Sequence, residues 1–309
     1  MFDIRRLRLL RDLDRLGTIA AVARAHTCTP SAVSQQLAAL QREAGVPLLE
    51  RRGRGVALTP VGVALAGHTE AVLAALEAAS ATVAAARTGL TGTVRIGAFP
   101  TAVHTLLPGA LVALGRDHPG LDLSVTELDP AAVPEALREH RLDVALLHDY
   151  DLAPVEPDPA LDSAPLLDET VFLAVPEEDA ARDAAASADP VAGFGDADWI
   201  VGSPGTLCHT VAVRACLAAG FAPRIRHRVD DFSAVLTLVA AGRGVALVPR
   251  LGVGRLPDGV RLLPLAARRR TRIAHRRGAG GHPAVAACVR AVRAATAAHL
   301  EAGAGAGAD

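Results

Sequence analysis

Two sets of side chains in this 309-residue sequence are spaced for recognition chemistry, and they lie far apart along it. In the first, Thr29-Pro30-Ser31 opens an amphipathic stretch whose Val33, Leu37 and Leu40 recur at helical spacing. Ser31, Gln35, Ala38 and Arg42 fall on the opposite face, with Ser34 at its margin. Threonine as cap with proline at the first helical position is a strong start signal. Just beyond, Arg51, Arg52 and Arg54 cluster around a Gly53-Arg54-Gly55 turn. Short hydroxyls and an amide on a helix's leading turns can bond base edges, glutamine holding adenine by two bonds, while guanidinium groups neutralise phosphates. In the second set, Phe99-Pro100-Thr101 follows a β-branched run at 93–98, and Ser203-Pro204-Gly205-Thr206 follows the run at 199–202. Ligands of open α/β sheets collect at such strand ends, where helix N-termini offer unpaired N–H groups.

Other chemistries are missing their residues. The sequence has no G-x-S-x-G elbow, no H-E-x-x-H, no phosphate-binding loop and no dinucleotide fingerprint, so an enzyme is not expected. Cys28, Cys208, Cys216 and Cys288 include no C-x-x-C pair and no histidine-spaced cluster, so neither a metal nor any other cofactor is expected. Sparse cysteines and charges mixed through the first turns point to the cytoplasm and away from a membrane partner.

Elements must hold these groups in place. Ile4–Leu16 reads as a helix with Leu9, Leu10, Leu13 and Leu16 on one side, closed by Gly17, and Thr18 caps a short helix to His26. With the Thr29 helix, stopped by Gly45 and Pro47, this makes a helix-turn-helix, and 48–58 reads as a two-stranded wing. Thr59-Pro60 repeats the cap-plus-proline start and launches a helix of roughly 28 residues, about 42 Å long. Leu65, Val72 and Ala79 at one heptad position, and Thr69, Leu76 and Val83 at the other, form a seam suited to pairing with a second copy. From Thr91 strands alternate with helices, which predicts an α/β domain with a mostly parallel sheet. A Pro- and Asp-rich loop is expected over 151–164, and a solvated strand edge over the arginines at 268–277. The last helix is expected over about 283–300.

Charge follows the same division. All 32 basic residues are arginine and the net charge is −1. Residues 1–60 nevertheless carry ten arginines against five acids, a net of +5, while 121–190 carry a net of −15 and 191–309 a net of +9. A basic head that meets a polyanion, joined to a body that does not, fits this pattern.

The head, "GTIAAVARAHTCTPSAVSQQLAALQREAGVPLLERRGRGVALTPVG", resembles the N-terminal domain of the LysR-type transcriptional regulators. The segments "LLPGALVALGRDHPGLDLSV", "LDVALLH" and "LVAAGRGVALVP" resemble three segments of that family's effector domain, and the likeness spans essentially residues 4–300. Gln35 stands where many members carry arginine, and Leu49 where phenylalanine is usual. The resemblance implies a winged helix-turn-helix over 1–59, a dimerisation linker helix over 60–89, and a two-lobed α/β effector domain over 90–300 like the periplasmic solute-binding proteins. Lobe one would comprise 91–165 and 257–300, lobe two 166–256, and 301–309 would be a disordered tail.

Function follows as an expectation: a sequence-specific regulator controlled by a small molecule bound between the lobes, expected to be an anion because hydroxyls on helix N-termini suit one. Its partners would be double-stranded DNA, the effector, a second copy in a homodimer or a homotetramer, and RNA polymerase. DNA would be held by Thr29, Pro30, Ser31, Ser34, Gln35, Arg51, Arg52 and Arg54. The resemblance brings Phe99, Pro100, Thr101, Ser203, Gly205 and Thr206 to the effector cleft, together with His148, Phe232 and Val248. The family's peroxide-sensing branch carries a redox cysteine pair near Cys208 and Cys216, which supplies an alternative. Eight helical residues separate these two thiols by about 12 Å, beyond the roughly 7 Å Cα limit of a disulfide, so two small buried apolar residues are the favoured reading.

Overall fold

A computed structural model describes residues 1–53, 55–86, 89–179 and 189–305. By its internal contacts the chain divides into two compact units, Met1–Ser80 and Ala81–Asp309.

In the first unit, α1 (Ile4–Leu16), α2 (Ile19–Ala25) and α3 (Pro30–Ala44) precede a hairpin of β1 (Leu49–Arg52) and β2 (Gly55–Leu58). Each helix starts where its cap predicts. The Thr18 hydroxyl accepts the Ala21 N–H and the Thr29 hydroxyl the Ala32 N–H, both at 3.2 Å. Gly17 and Gly45 end α1 and α3 in the left-handed conformation, at φ 73° and 70°, which glycine adopts without a Cβ clash. The core gathers Leu10 and Leu13 of α1, Val22 of α2, and Val33, Leu37 and Leu40 of α3. Gln41 holds the wing, its Oε1 accepting the N–H groups of Leu48 and Leu49 at 3.0 and 3.2 Å. Buried Asp12 lies 2.8 Å from the Arg11 guanidinium and 2.6 Å from His26, tying α1 to the end of α2.

The long helix α4 (Pro60–Ala85) is a continuation of this unit rather than a free rod. A Cβ on Gly62 would come within 2.2 Å of the Leu48 carbonyl, so only glycine lets the helix start against the wing. Ala66 and Thr69 are buried, and Glu70 lies 3.4 Å from Arg11. The expected heptad seam is therefore divided: Leu65 packs on the head and Thr69 is buried, while Val72, Leu76 and Val83 are exposed. By length and composition α4 is apolar enough to cross a membrane.

The second unit is built on a six-stranded sheet in the order β4-β3-β5-β10-β6-β9. Its strands are β3 (Gly92–Ala98), β4 (Leu121–Glu127), β5 (Val144–Tyr150), β6 (Leu161–Pro176), β9 (Ala246–Pro249) and β10 (Val260–Arg276). The expectation of a mostly parallel sheet is corrected. β3 runs parallel to β4 and β5, but β10 is antiparallel to both β5 and β6, and β6 to β9. The Pro- and Asp-rich segment expected as loop to residue 164 enters β6 at Leu161.

Helices cover the sheet: α5 (Pro100–Thr105), α6 (Leu107–Asp117), α7 (Val133–Arg138) and the C-terminal α11 (Pro283–Gly305), then α8 (Leu207–Ala218), α9 (Phe232–Ala240) and the one-turn α10 (Arg250–Val253). A parallel pair, β7 (Asp198–Val201) and β8 (Arg224–Arg228), joins the sheet through a bridge from Trp199 to Val245. The unit's two largest hydrophobic clusters lie around Ile96, Leu106 and Val292 and around Leu173, Phe194 and Trp199.

The long strands β6 and β10 pass through both lobes. Val260 and Leu263 pack into the second lobe and Ile273 and Ala274 into the first, so the first half of β10 does not belong to lobe one as expected. Residues 301–305, expected in a disordered tail, extend α11, in keeping with the helix propensity of its alanines. Residues 306–309 lie outside the described residues.

Candidate functional site

Helix periodicity decides which residues of α3 face out. With Val33, Leu37 and Leu40 buried, Ser31, Ser34 and Gln35 are exposed along its first two turns, and Thr29 and Pro30 stand exposed at its start. Ser34 donates its hydroxyl to the Pro30 carbonyl at 2.9 Å. The wing pairs Arg51 with Val56 and Arg52 with Gly55, and both arginines are exposed. Arg54 lies outside the described residues. The described members of the expected set thus offer an exposed helix start and an exposed pair of guanidinium groups on one basic unit.

The second candidate site is a cavity of about 580 Å³ where the two lobes of the sheet domain meet. Strand register builds its floor. In the sheet Arg269 of β10 pairs with Tyr150 of β5 on one side and Glu169 of β6 on the other, while Thr271 pairs with His148. Strand alternation puts Ala267, Arg269, Thr271 and Ile273 on one buried face. Arg269 is 1 % exposed. Its Nε donates to Glu169 Oε1 at 2.7 Å and its Nη2 to the Thr101 hydroxyl at 3.2 Å, and the guanidinium carbon lies 5.0 Å from the Phe99 ring centroid. Burial alone would lower the guanidinium pKa, but Glu169, with Tyr150 and Cys208 adding to it, raises it. The other Glu169 oxygen accepts the Leu251 N–H at 2.6 Å, so this pair fastens the start of α5 and the start of α10 to the same point.

His148 stands beside this pair and is 4 % exposed. Its ring meets Phe99 and Tyr150 edge-on, with centroids 4.5 and 5.4 Å away. Neither ring nitrogen has a hydrogen-bond partner among the described residues. Burial, with Arg269 adding to it, holds the imidazole well below its ordinary pKa, so it is neutral at pH 7.

Six of the nine expected cleft residues line the cavity: Phe99, Pro100, Thr101, His148, Thr206 and Phe232. Three do not. Val248 is fully buried in the second lobe because β9 alternation turns it inward beside Ala246. Ser203 is half-buried, with its N–H and hydroxyl both donated to Asp230, at 2.7 and 2.6 Å. Gly205 is an exposed turn residue at φ 94°.

The residue missed was Arg269. The arginine run at 268–277 is not a strand edge, because β10 lies between β5 and β6. The alternation Ala267-x-Arg269-x-Thr271-x-Ile273 was the signal that would have found it. Cys208 also lines the cavity, 3.6 Å from the Tyr150 hydroxyl, while Cys216 is fully buried on α8. Burial raises both thiols, that of Cys216 to about 12. Such thiols are protonated at neutral pH and poor nucleophiles.

Comparison with known proteins agrees with this two-part construction. Residues 4–63 match the family described as "Bacterial regulatory helix-turn-helix protein, lysR family", and residues 87–297 match "LysR substrate binding domain". The chain is 32% identical over 224 residues to the "Probable hydrogen peroxide-inducible genes activator" of Mycobacterium avium, covering 72% of this chain and 70% of that protein. It is 28% identical over 249 residues to the "Transcriptional dual regulator GltC" of Bacillus subtilis, covering 80% of each. In fold it is similar to a Corynebacterium glutamicum OxyR C206 mutant, with a TM-score of 0.57, 23% identity, and coverage of 99% of this chain and 95% of that one. The two matched segments coincide with the winged head and the two-lobed sheet domain, and the chain belongs to the LysR family of DNA-binding transcriptional regulators with an effector-binding domain.

Proposed function

We propose that the chain reads interrupted inverted repeats near promoters, and that a small molecule in the cleft shifts how its paired heads engage them. Thr29, Pro30, Ser31, Ser34 and Gln35 enter the major groove, Gln35 reading a base, while Arg51, Arg52 and Arg54 bind phosphates or the adjacent minor groove. Two copies pair through the exposed Val72, Leu76 and Val83 of α4 and present two heads to two half-sites. Dimers of dimers form through the effector domains, and RNA polymerase is the partner met at the promoter. The chain acts in the cytoplasm, where that DNA is.

The observation that carries the effector reading is the 580 Å³ cavity, a size suited to a small metabolite, whose walls come from both lobes. A ligand can move the protein only by the difference in its affinity for two arrangements, typically 1–3 kcal/mol of coupling. A waist cavity supplies that difference, because an occupant touches both lobes only when they are close. Phe99, Pro100, Thr101 and His148 act from one side, Thr206 and Phe232 from the other.

The relatives named for hydrogen peroxide favour a second reading, in which Cys208 and Cys216 sense oxidant. Against it stand the raised pKa of both thiols, the full burial of Cys216 and their placement along one helix. The test is a gel-shift titration of the full chain on selected genomic fragments, with and without a metabolite mixture and with and without peroxide. A response to metabolites that survives Cys216→Ser and is weakened by Thr206→Val supports the cleft. A response to peroxide alone that Cys216→Ser abolishes overturns it.

A further inference from the structure

The charge around the cavity does not match the anion expected from helix N-termini. Glu127 and Asp129 line it from the first lobe, and Asp230 and Asp231 from the second. Among the described residues one arginine lines the cavity with them, and Arg269 is already neutralised by Glu169 and bonded to Thr101. Asp231 caps α9, its carboxylate accepting the Ala234 N–H at 2.8 Å, so that helix start is already matched with a negative charge. Asp129 likewise accepts the Ala131 N–H at 2.9 Å. These bonds engage lone pairs and leave the charges in place. An anion entering here meets four carboxylates and, among the described lining residues, no guanidinium that is not already paired, in a site where desolvation strengthens every such repulsion.

A second feature points to an occupant independently of charge. His148 is buried, lines the cavity, and has two ring nitrogens without partners among the described residues. Buried polar atoms in proteins are nearly always hydrogen-bonded, so an orphaned imidazole at the wall of a cavity calls for a polar group on whatever fills it. Apolar Phe99, Leu128, Phe232 and Leu251 line the same cavity.

We infer that the cleft takes an organic cation: a protonated amine on a flat apolar body whose far end carries a hydroxyl. The hydroxyl meets His148 at the floor, the body lies between Phe99 and Phe232, and the ammonium faces the carboxylates of Asp129, Asp230 and Asp231. This inference rests on the effector role of the cleft and names the class of its ligand.

Three probes of one skeleton test it on the full-length protein by isothermal titration: tyramine, tyrosol and 4-hydroxyphenylacetate, which share a phenol and differ in the charge of the other end. Tyramine is expected to bind at least about tenfold more tightly than 4-hydroxyphenylacetate, with tyrosol between them. Asp231→Asn keeps the cap of α9 and is expected to lower tyramine affinity about threefold without moving the melting temperature. Phenethylamine, which lacks the hydroxyl, is expected to bind more weakly than tyramine, and His148→Phe to erase that difference. Equal or tighter binding of 4-hydroxyphenylacetate, or no binding by tyramine at millimolar concentration, overturns the inference. A separate variant judges the cleft itself: Ser233→Trp fills the cavity from an exposed wall position. If it blocks the metabolite response while tyramine fails, the cleft stands and only the cationic class falls. If it leaves that response intact, the cleft reading falls as well.

Discussion

The wing and the cleft put the same side chain to opposite uses. Arg51 and Arg52 lie exposed on a four-residue strand, with their charge available to a polyanion. Arg269 sits in the middle of a six-stranded sheet, 1 % exposed, its charge matched by Glu169 and its donors directed at Thr101 and at that carboxylate. An exposed arginine carries function through long-range attraction that salt screens. A buried one carries it through position: it fixes where α5 and α10 begin and so shapes the cavity wall. Residue type alone does not separate the two. Burial does, and the cross-strand neighbours in the sheet set the burial.

Removing these charges should separate the two regions most sharply. Arg269→Ala leaves Glu169 buried without its cation, which costs about 3–5 kcal/mol. The loss should be confined to the sheet domain and be read by urea denaturation followed through the fluorescence of Trp199, the single tryptophan. Replacing both partners, as Arg269→Met with Glu169→Leu, should recover most of it. Arg52→Ala should change stability by no more than about 0.5 kcal/mol. It should instead weaken binding to every DNA sequence and lower the salt slope by about 1, measured by titration at several salt concentrations. If Arg269→Ala behaves like Arg52→Ala, the contrast between the regions is wrong.

Gln35→Ala sharpens the head side. It should reduce discrimination between specific and random DNA by about 1–3 kcal/mol, with little change in non-specific affinity. Equal losses on both would mean that Gln35 contacts only the backbone. Thr29→Ala tests local structure, since the lost hydrogen bond to Ala32 should lower head stability by about 1 kcal/mol, seen in helical circular dichroism of the full chain on heating. Thr29→Ser should restore it.

The smallest effect expected is a pH dependence of the sheet domain. His148 has its pKa lowered in the folded state by burial and by Arg269, while Phe99 and Tyr150 pack against its ring. The unfolded chain, titrating near 6.5, therefore binds more protons than the folded one in acid. Stability from this group is full above pH 6.5 and falls as the pH drops below it. Between pH 7 and 6 the loss should be under about 1 kcal/mol. Melting temperatures across that window should fall less in His148→Phe than in the parent.

Much of the head was legible because its signals are local. The Thr29-Pro30 start, the Gly45 stop and the three-and-four spacing of Val33, Leu37 and Leu40 concern residues within one helix, and each fixes a face without reference to the rest of the chain. The cleft was legible only at its corners. Phe99, Thr101 and Thr206 follow from the rule that strands hand over to helices at ligand sites. Val248, carried to the cleft by the resemblance alone, was misplaced because a segment likeness says nothing about which way a short strand turns its side chains.

Sequence determined the helix starts and stops of the head, the exposed reading turn of α3 and the separation of basic and acidic regions, all set by neighbours a few residues apart. Tertiary structure decided the rest. It made the sheet mixed, because β6 and β10 run as long antiparallel partners through both lobes. It buried Arg269 by laying β10 between β5 and β6, with Tyr150 and Glu169 as its register partners from 119 and 100 positions away. It left the ring nitrogens of His148, at the wall of a cavity, without a partner among the described residues. Strand register over such separations depends on which apolar faces can be buried together, and that is a property of the assembled sheet, not of any single segment.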